Sequence, residues 1–256
     1  MDRFATFHDI KGQSVFITGG GSGIGAALTE GFLREGAKVT FIQRSDATAF
    51  CDDMEAAHGN RPMFLPCDIE DIDALHATMD AAAEAHGPIT VLVNNAAHDL
   101  RHPTEGFEVA EWDRMMNVNL RPHFFTAQHA APGMRAAGKG SIINFSSISY
   151  MMGNAGYHSY VAAKAGIMAL TRGLAREYGP VGIRANAVMP GWVLTQRQKD
   201  LWATPEGLDA IMDRQCLKEH LVEDDIVHGV LFLASETSRM MTSQALVIDG
   251  GVVMTG

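Results

Sequence analysis

Three side chains in the middle of the chain could together move a proton and stabilise charge on an oxygen. They are Ser147, Tyr160 and Lys164, spaced Ser-x12-Tyr-x3-Lys. The run from Val161 to Tyr178 is filled by Ala, Leu, Met and Arg and predicts a helix. Residues four apart share a helix face, with Cβ atoms roughly 5–6 Å apart. The Lys164 ammonium is therefore expected beside the Tyr160 phenol. A phenol titrates near ~10 unperturbed, and a neighbouring cation favours its ionised form. Such a tyrosine could serve as a general acid or base near neutral pH. Tyr-x3-Lys alone is a common accident of sequence, so its weight depends on a cofactor site elsewhere in the chain.

The first forty residues supply one. Ser14-Val-Phe-Ile-Thr18 is an apolar, β-branched run suited to a buried parallel strand. Gly19-Gly-Gly-Ser22-Gly23-Ile24-Gly25 follows, then an amphipathic run from Ala26 to Glu35 that ends at Gly36. In strand–turn–helix order, glycines allow close backbone approach, and the new helix points free N–H groups at a phosphate. The spacing Gly19-x3-Gly23-x-Gly25 differs from the usual G-x-G-x-x-G dinucleotide pattern. A glycine cluster alone could be a flexible turn, but this context favours a phosphate cradle.

The elements that must position these groups fit one large domain. The chain has 256 residues, with no low-complexity tract, internal repeat or linker. Strands are predicted at 14–18, 38–42, 62–66, 89–93, 140–145, 183–188 and 245–248. Helices are predicted near 23–35, 47–58, 70–86, 108–137 with a break, 157–178 and 223–234. This alternation implies a Rossmann-like, doubly wound parallel sheet of about seven strands with helices on both faces, a single α/β domain over 1–256. Ligands should lie at the carboxyl ends of the strands. The glycine turn, Asp68, Asn94, Ser147 and Pro190-Gly191 follow successive strands there. Residues 192–216, polar and unevenly helical, would make a lid.

Composition narrows the partners. A net charge of −10 argues against nucleic acid or an anionic membrane. No apolar run approaches the ~18 residues that span a bilayer, and Met1 to His8 lacks the apolar core of a secretory signal. Cys51, Cys67 and Cys216 form no metal pattern, and the histidines show no His-x3-His or His-Glu-x-x-His spacing, so no metal is expected. Such thiols suit a reducing, cytoplasmic setting.

With these motifs in place, the chain resembles the short-chain dehydrogenase/reductase family over nearly its whole length. The resemblance rests on Thr18-Gly-Gly-Gly-Ser-Gly-Ile-Gly25, Cys67-Asp68-Ile69, Asn94-Asn95-Ala96-Ala97, Asn117-Val-Asn119-Leu, Ser147, Tyr160-Val-Ala-Ala-Lys164, Pro190-Gly191 with Val193 and Thr195, and Asp249-Gly250-Gly251. It implies proton transfer by Tyr160, a hydrogen-bond donor in Ser147, and a Lys164 that lowers the tyrosine pKa and binds the nicotinamide ribose. Asn119 would interrupt a helix and hold a relay water. Gly19, Ser22, Gly23, Ile24, Gly25, Asn95, Ala96, Pro190, Gly191, Val193 and Thr195 would line the cofactor. Asp68 and Ile69 would meet the adenine, and Asn94 would act as scaffold and cofactor contact. A homotetramer is also implied. Ala97 and Pro122 depart from the family's usual glycines without removing a catalytic group.

The resemblance implies NAD or NADP. An acidic residue for the ribose 2′-hydroxyl is expected at the end of the second strand, where Gln43, Arg44 and Ser45 stand instead. Arg44 and Ser45 could hold a 2′-phosphate, Gln43 could bond a free ribose, and Asp46 could swing in. Ser22 occupies a loop position where a basic residue would help NADP. The balance favours NADP.

Below family level the chain resembles bacterial aldose 1-dehydrogenases of the D-xylose and D-galactose type, in Asn117-Val-Asn-Leu-Arg121, Ala131-Pro-Gly-Met134, Thr195-x-Arg197-Gln198 and Thr204-Pro-Glu-Gly207. A sugar is then the implied substrate, oxidised at C1 to a lactone. Ser147, Asn154, Tyr160, Trp192 and Arg197 are its candidate contacts, with Tyr150, Tyr157, His158, His98, Asp99 and Arg101 nearby. The alternatives are a carbonyl or 3-oxoacyl reductase of the same family and a non-catalytic cofactor-binding regulator.

Overall fold

The computed structural model describes residues 5–254. Met1 to Phe4, part of the N-terminal stretch read for a signal, lie outside the described residues. Seven strands form one parallel sheet: β1 (Ser14–Thr18), β2 (Lys38–Gln43), β3 (Met63–Pro66), β4 (Val91–Asn94), β5 (Gly140–Phe145), β6 (Ile183–Pro190) and β7 (Ala245–Ile248). Their order is β3-β2-β1-β4-β5-β6-β7, with every adjacent pair parallel. Every residue of β1, β4 and β5 is buried, as expected where helices cover both faces. The order reverses between β1 and β4, so the crevice at their carboxyl ends is the topological switch point.

Helices α1 (Gly23–Arg34), α2 (Thr48–His58), α3 (Ile72–His86), α4 (Val109–Asn119), α5 (Arg121–Ala136), α6 (Ser149–Met152), α7 (His158–Tyr178), α8 (Gln196–Leu201), α9 (Pro205–Arg214) and α10 (Glu223–Ala234) complete the layers. One face packs Leu28, Phe32, Val227 and Leu231 of α1 and α10 against Val15, Ile17 and Phe41. The other packs Leu75, Met79, Ala127, Met134 and Leu174 of α3, α5 and α7 against Phe16, Leu92 and Ile142.

The seven strands and six long helical regions follow the sequence pattern within about two residues, the ordinary uncertainty of element ends. The break expected within 108–137 falls at Leu120, whose φ of −124° and ψ of −50° leave the helical region. Pro122 then starts α5 without an N–H, tolerated where first-turn amides have no helical partner. Residues 192–216 hold two distinct helices, α8 and α9, each started by a threonine. Thr195 Oγ1 accepts from Gln198 N at 3.3 Å, and Thr204 Oγ1 accepts from Gly207 N at 3.1 Å ahead of Pro205.

Candidate active site

Ser147, Tyr160 and Lys164 meet where β5 ends against α7, and all three line a cavity of about 680 Å³. The Ser147 hydroxyl stands by the Tyr160 phenol, pulling its pKa down, and accepts from Ser149 N at 3.1 Å. The neighbouring serines are separated from it by their surroundings: Ser146 Oγ donates to the Lys164 carbonyl at 2.8 Å, and Ser149 is buried in α6. Tyr157 also lines the cavity and stacks on Tyr160, with ring centroids 5.9 Å apart. Asn119 is fully buried behind this group. Its Oδ1 accepts from His98 N at 2.8 Å, and its Nδ2 donates to His98 O and Met115 O, both at 3.0 Å. It therefore pins the loop after β4 to the end of α4, and its carbonyl sits at the helix break.

The electrostatics depart from the expectation that Lys164 lowers the phenol. Burial pushes Tyr160 well above its ordinary value, the Asp99 carboxylate adds to that, and only Ser147 and Arg101 pull it down. Lys164 sits with Nζ 5.3 Å from the Tyr160 ring centroid and donates to Phe145 O at 2.7 Å. Burial lowers Lys164 to about 7, against an upward pull from Asp99. The two groups share a helix face as their spacing predicts, but in this structure the ammonium is anchored on the strand carbonyl.

The glycine turn is built to approach something closely. A Cβ on Gly25 would lie 1.8 Å from the Gly19 carbonyl oxygen, so the turn folds directly onto the start of α1. Ser22 is the N-cap, but its side chain makes no capping bond, leaving first-turn amides for an outside acceptor. Asn95 Nδ2 donates to Thr18 O at 3.1 Å and Gly19 O at 3.0 Å, while Ala96 N donates to Thr18 Oγ1 at 3.0 Å. These bonds tie β4 to the cradle. Ile24, Asn95, Pro190, Gly191, Val193 and Thr195 line the same cavity as the Tyr160 group. The residues present thus fit a dinucleotide running from the β1–α1 turn to Tyr160.

At the adenosine end, Gln43 is already engaged. Its Oε1 accepts from Gly21 N at 3.0 Å, and its Nε2 donates to Ser45 O at 3.0 Å and Ser45 Oγ at 3.2 Å. Asp46 is held too, accepting from Thr48 N at 3.1 Å and Thr48 Oγ1 at 2.6 Å. The idea that Asp46 swings into the site is corrected by that cap-like anchoring. Arg44 is exposed, with its Nη1 3.8 Å from Asp68 Oδ2. Asp68 also accepts from Glu70 N at 3.0 Å, and Ile69 follows it at the end of β3. Asn94 is a scaffold only: it is buried, donates to Asn144 Oδ1 at 3.0 Å and accepts from Thr126 Oγ1 at 2.8 Å.

The expected substrate residues divide. Asn154 and Trp192 line the cavity with Tyr157, Asp99 and Arg101. Trp192 Nε1 donates to Gln198 Oε1 at 2.9 Å, and Gln198 Nε2 donates to Asp99 Oδ2 at 3.0 Å, joining α8 to the β4 loop. Arg101 lies over the Tyr157 ring at 4.1 Å and over Trp202 at 5.1 Å. Arg197 is absent from the lining. Its guanidinium faces Asp99 at 3.6 Å, which corrects its placement as a substrate contact. Tyr150, His158 and His98 are likewise not in the lining; the Tyr150 hydroxyl points to Met189 Sδ at 3.8 Å. Sequence reasoning missed Trp202, Ile211 and Arg214, which wall the cavity from the segment of α8 and α9. The amphipathic pattern after the Thr204-Pro205 helix start was the available signal.

Comparison with known proteins agrees with this geometry. The family described as "Enoyl-(Acyl carrier protein) reductase" matches residues 19–253. The chain is 46% identical over 248 residues to "Probable galactose dehydrogenase GalD" of Rhizobium meliloti (strain 1021), covering 96% of this chain and 97% of the relative. It is 44% identical to the D-xylose 1-dehydrogenase of Caulobacter vibrioides (strain NA1000 / CB15N), covering 96% and 98%. A solved structure from Sinorhizobium meliloti 1021, assigned as a short-chain alcohol dehydrogenase, superposes with a TM-score of 0.91 at 29% identity, covering 96% of this chain and 98% of that one. The chain belongs to the short-chain dehydrogenase/reductase family, whose dehydrogenases use NAD or NADP.

Proposed function

We propose that this protein oxidises the C1 hydroxyl of an aldose to a lactone, with NADP as the preferred coenzyme. The observation that carries the reading is the convergence of Ser147, Tyr160 and Lys164 in a polar and aromatic cavity that continues into the glycine cradle. The galactose and D-xylose dehydrogenases among the relatives support a sugar. When bound, the oxidised nicotinamide supplies the hydride acceptor and a positive ring. Tyr160 takes the hydroxyl proton as a phenolate. Ser147 hydrogen-bonds the same oxygen and holds it in register, and Lys164 keeps a positive charge near the phenol. Any cation entering the cavity acts on the phenol as Arg101 does, downwards. The first-turn amides of α1, with Asn95, Gly191 and Thr195, hold the coenzyme. The segment 192–216 closes over it as a lid, with Trp192, Trp202 and Ile211 covering the sugar. The family resemblance extends the reading to a cytoplasmic homotetramer, to which exposed Val109, Trp112 and Phe124 on α4 and α5 offer an apolar face.

The NADP preference rests on Arg44, because Gln43 and Asp46 are held by hydrogen bonds while Arg44 is exposed beside the cradle, with only a 3.8 Å ion pair to Asp68. A guanidinium pairs bidentately with phosphate, and a hydrogen bond to a charged group contributes ~1.5–3 kcal/mol. Arg44→Leu is therefore expected to lower kcat/KM with NADP by about ten-fold or more and to change that with NAD little. An unchanged ratio of the two coenzymes means that Arg44 does not read the 2′-phosphate.

The substrate reading is tested with neutral aldoses, acidic sugars, secondary alcohols and 3-oxoacyl thioesters, followed by coenzyme absorbance and product mass. A sugar that leaves a site hydroxyl or amide unpaired loses ~1–3 kcal/mol, so epimers are expected to differ about ten- to hundred-fold. Thioesters or simple ketones outrunning every sugar would make the protein a reductase of other carbonyls. Coenzyme binding without turnover on any compound would favour the regulator.

A further inference from the structure

Arg101, in the loop after β4, touches no reacting atom in the chemistry proposed above, yet it lines the same cavity. Its guanidinium carbon lies 4.1 Å from the centroid of the Tyr157 ring, just ahead of α7, and 5.1 Å from that of the Trp202 ring, at the end of α8. Two aromatic faces thus hold the cation between α7 and the lid segment. Stacking uses the flat faces of a guanidinium and leaves the N–H donors along its edge unengaged. Among the described residues Arg101 makes these ring contacts and no hydrogen bond or ion pair. The side chain is exposed, so a ligand in the cavity can reach that edge.

The charge around it favours an anion. The chain carries a net −10, a field that repels anions over most of its surface. The cavity runs against that field. Among the described residues its charged lining is Arg101, Lys164 and Arg214 against Asp99 alone. Asp99 is already matched: its Oδ2 accepts from Gln198 Nε2 at 3.0 Å, and its Oδ1 faces Arg197 Nη2 at 3.6 Å. Arg214, in the last turn of α9, likewise has no ion pair among the described residues. Coenzyme phosphates do not explain this surplus, because Arg101 stands at the other end of the cavity from the glycine cradle. It lies over Tyr157, whose ring stacks on Tyr160 at 5.9 Å, and its charge is felt at the Tyr160 phenol.

We propose that the guanidinium edge of Arg101 receives the carboxylate of an acidic sugar, so that the preferred substrate is a hexuronic acid in its pyranose form. Such a sugar carries the C1 hydroxyl and the C6 carboxylate on the two carbons that flank the ring oxygen. One molecule can therefore touch Tyr160 and Arg101 together. A carboxylate accepts two parallel N–H bonds from a guanidinium, and Tyr157 and Trp202 hold that fork in one orientation before the sugar arrives. Arg214 adds positive charge to the same cavity. The chemistry at C1 is unaltered: the C1 hydrogen leaves with its electron pair for the oxidised coenzyme, the hydroxyl proton goes to Tyr160, and the C1 oxygen becomes the lactone carbonyl. The carboxylate is unchanged, and the product is the monolactone of an aldaric acid. The inference rests on the oxidation of an aldose at C1 proposed above and names the class of aldose.

Binding is tested apart from turnover on enzyme loaded with reduced coenzyme, which leaves no hydride acceptor. Galacturonate and glucuronate are titrated by calorimetry beside galactose and glucose. At least one uronate is expected to bind about ten-fold or more tighter than its neutral partner, as one charge-assisted hydrogen bond supplies. Arg101→Gln should abolish that advantage, and Arg101→Lys, which keeps the charge without the fork, should retain part of it. With oxidised coenzyme, the ratio of kcat/KM for acid over neutral sugar should fall by about ten-fold or more in Arg101→Gln. Arg101 also acts on the Tyr160 phenol, but that effect falls on both sugars and cancels in the ratio, as would loss of a purely structural clamp between α7 and α8. Uronates that bind no tighter than the neutral sugars, or an advantage that survives Arg101→Gln, overturn the proposal even where neutral aldoses are oxidised. An Arg101-dependent advantage in an enzyme that oxidises no sugar supports the carboxylate site while the C1-oxidation reading fails.

Discussion

Tyr160→Phe is expected to lower kcat for sugar oxidation by about 10²–10⁴-fold or more, the range of a positioned acid–base group, while coenzyme affinity stays nearly unchanged. The change is a clean one because the ring and the hydroxyl have different neighbours. The ring stacks on Tyr157 with centroids 5.9 Å apart, and phenylalanine retains that stacking. The hydroxyl stands instead beside Ser147, at the wall of the cavity. The effect has a pH signature. Burial and Asp99 hold the phenol above its ordinary value, so the phenolate that accepts the sugar proton becomes more abundant as pH rises. Oxidation by the parent enzyme should climb with pH over that range, and the residual rate of the variant should lose the slope. The checks are coenzyme titration by fluorescence and kcat across pH. A variant that turns over within ten-fold of the parent enzyme, with the slope intact, would remove Tyr160 from the chemistry.

The parts of this site that could be read from the sequence are those set by short-range geometry. Tyr160 and Lys164 fall on one helix face because four residues make about one turn, and Gly19 to Gly25 form a cradle because strand, turn and helix follow within a few residues. The alternating pattern likewise carries the sheet, since buried parallel strands read as apolar runs. What spacing does not carry is the direction in which a long side chain finally points. Lys164 turns to Phe145 O, a carbonyl nineteen residues earlier that only the β5–α7 packing brings near. Gln43 looks free in sequence, but the glycine loop folds back to give it Gly21 N. Arg197 and Arg214 lie in the same polar stretch. Only the separate orientations of α8 and α9 put Arg214 in the cavity wall and Arg197 on Asp99. Asn119 was legible as a helix interruption, whereas its hold on His98 across the β4 loop belongs to tertiary structure.

The cradle itself makes the other large prediction. Gly25→Ala is expected to damage both stability and coenzyme binding, because its Cβ would lie 1.8 Å from the Gly19 carbonyl oxygen and 2.8 Å from Asn95 Nδ2. The first of these is backbone and cannot turn aside as a flexible side chain would. The methyl group must push the β1–α1 turn away from α1, and with it the bonds from Asn95 to Thr18 O and Gly19 O. Overpacking of this kind costs about 1–3 kcal/mol, and at this chain length each kcal/mol lowers Tm by roughly 2–4 °C. Displacing even one first-turn amide from a charged phosphate forfeits a bond of ~1.5–3 kcal/mol, so the coenzyme Kd should rise about ten-fold or more. Gly173 on α7 supplies the control: a Cβ there meets nothing within 4 Å, and alanine in an open helical position gains about 0.5–1 kcal/mol over glycine. Thermal unfolding and coenzyme titration of the two variants should therefore move Tm in opposite directions, and only Gly25→Ala should weaken binding. A Gly25→Ala protein with parental Tm and Kd would show that the turn yields without strain, and that the close approach of Gly25 to Gly19 is not what shapes the phosphate site.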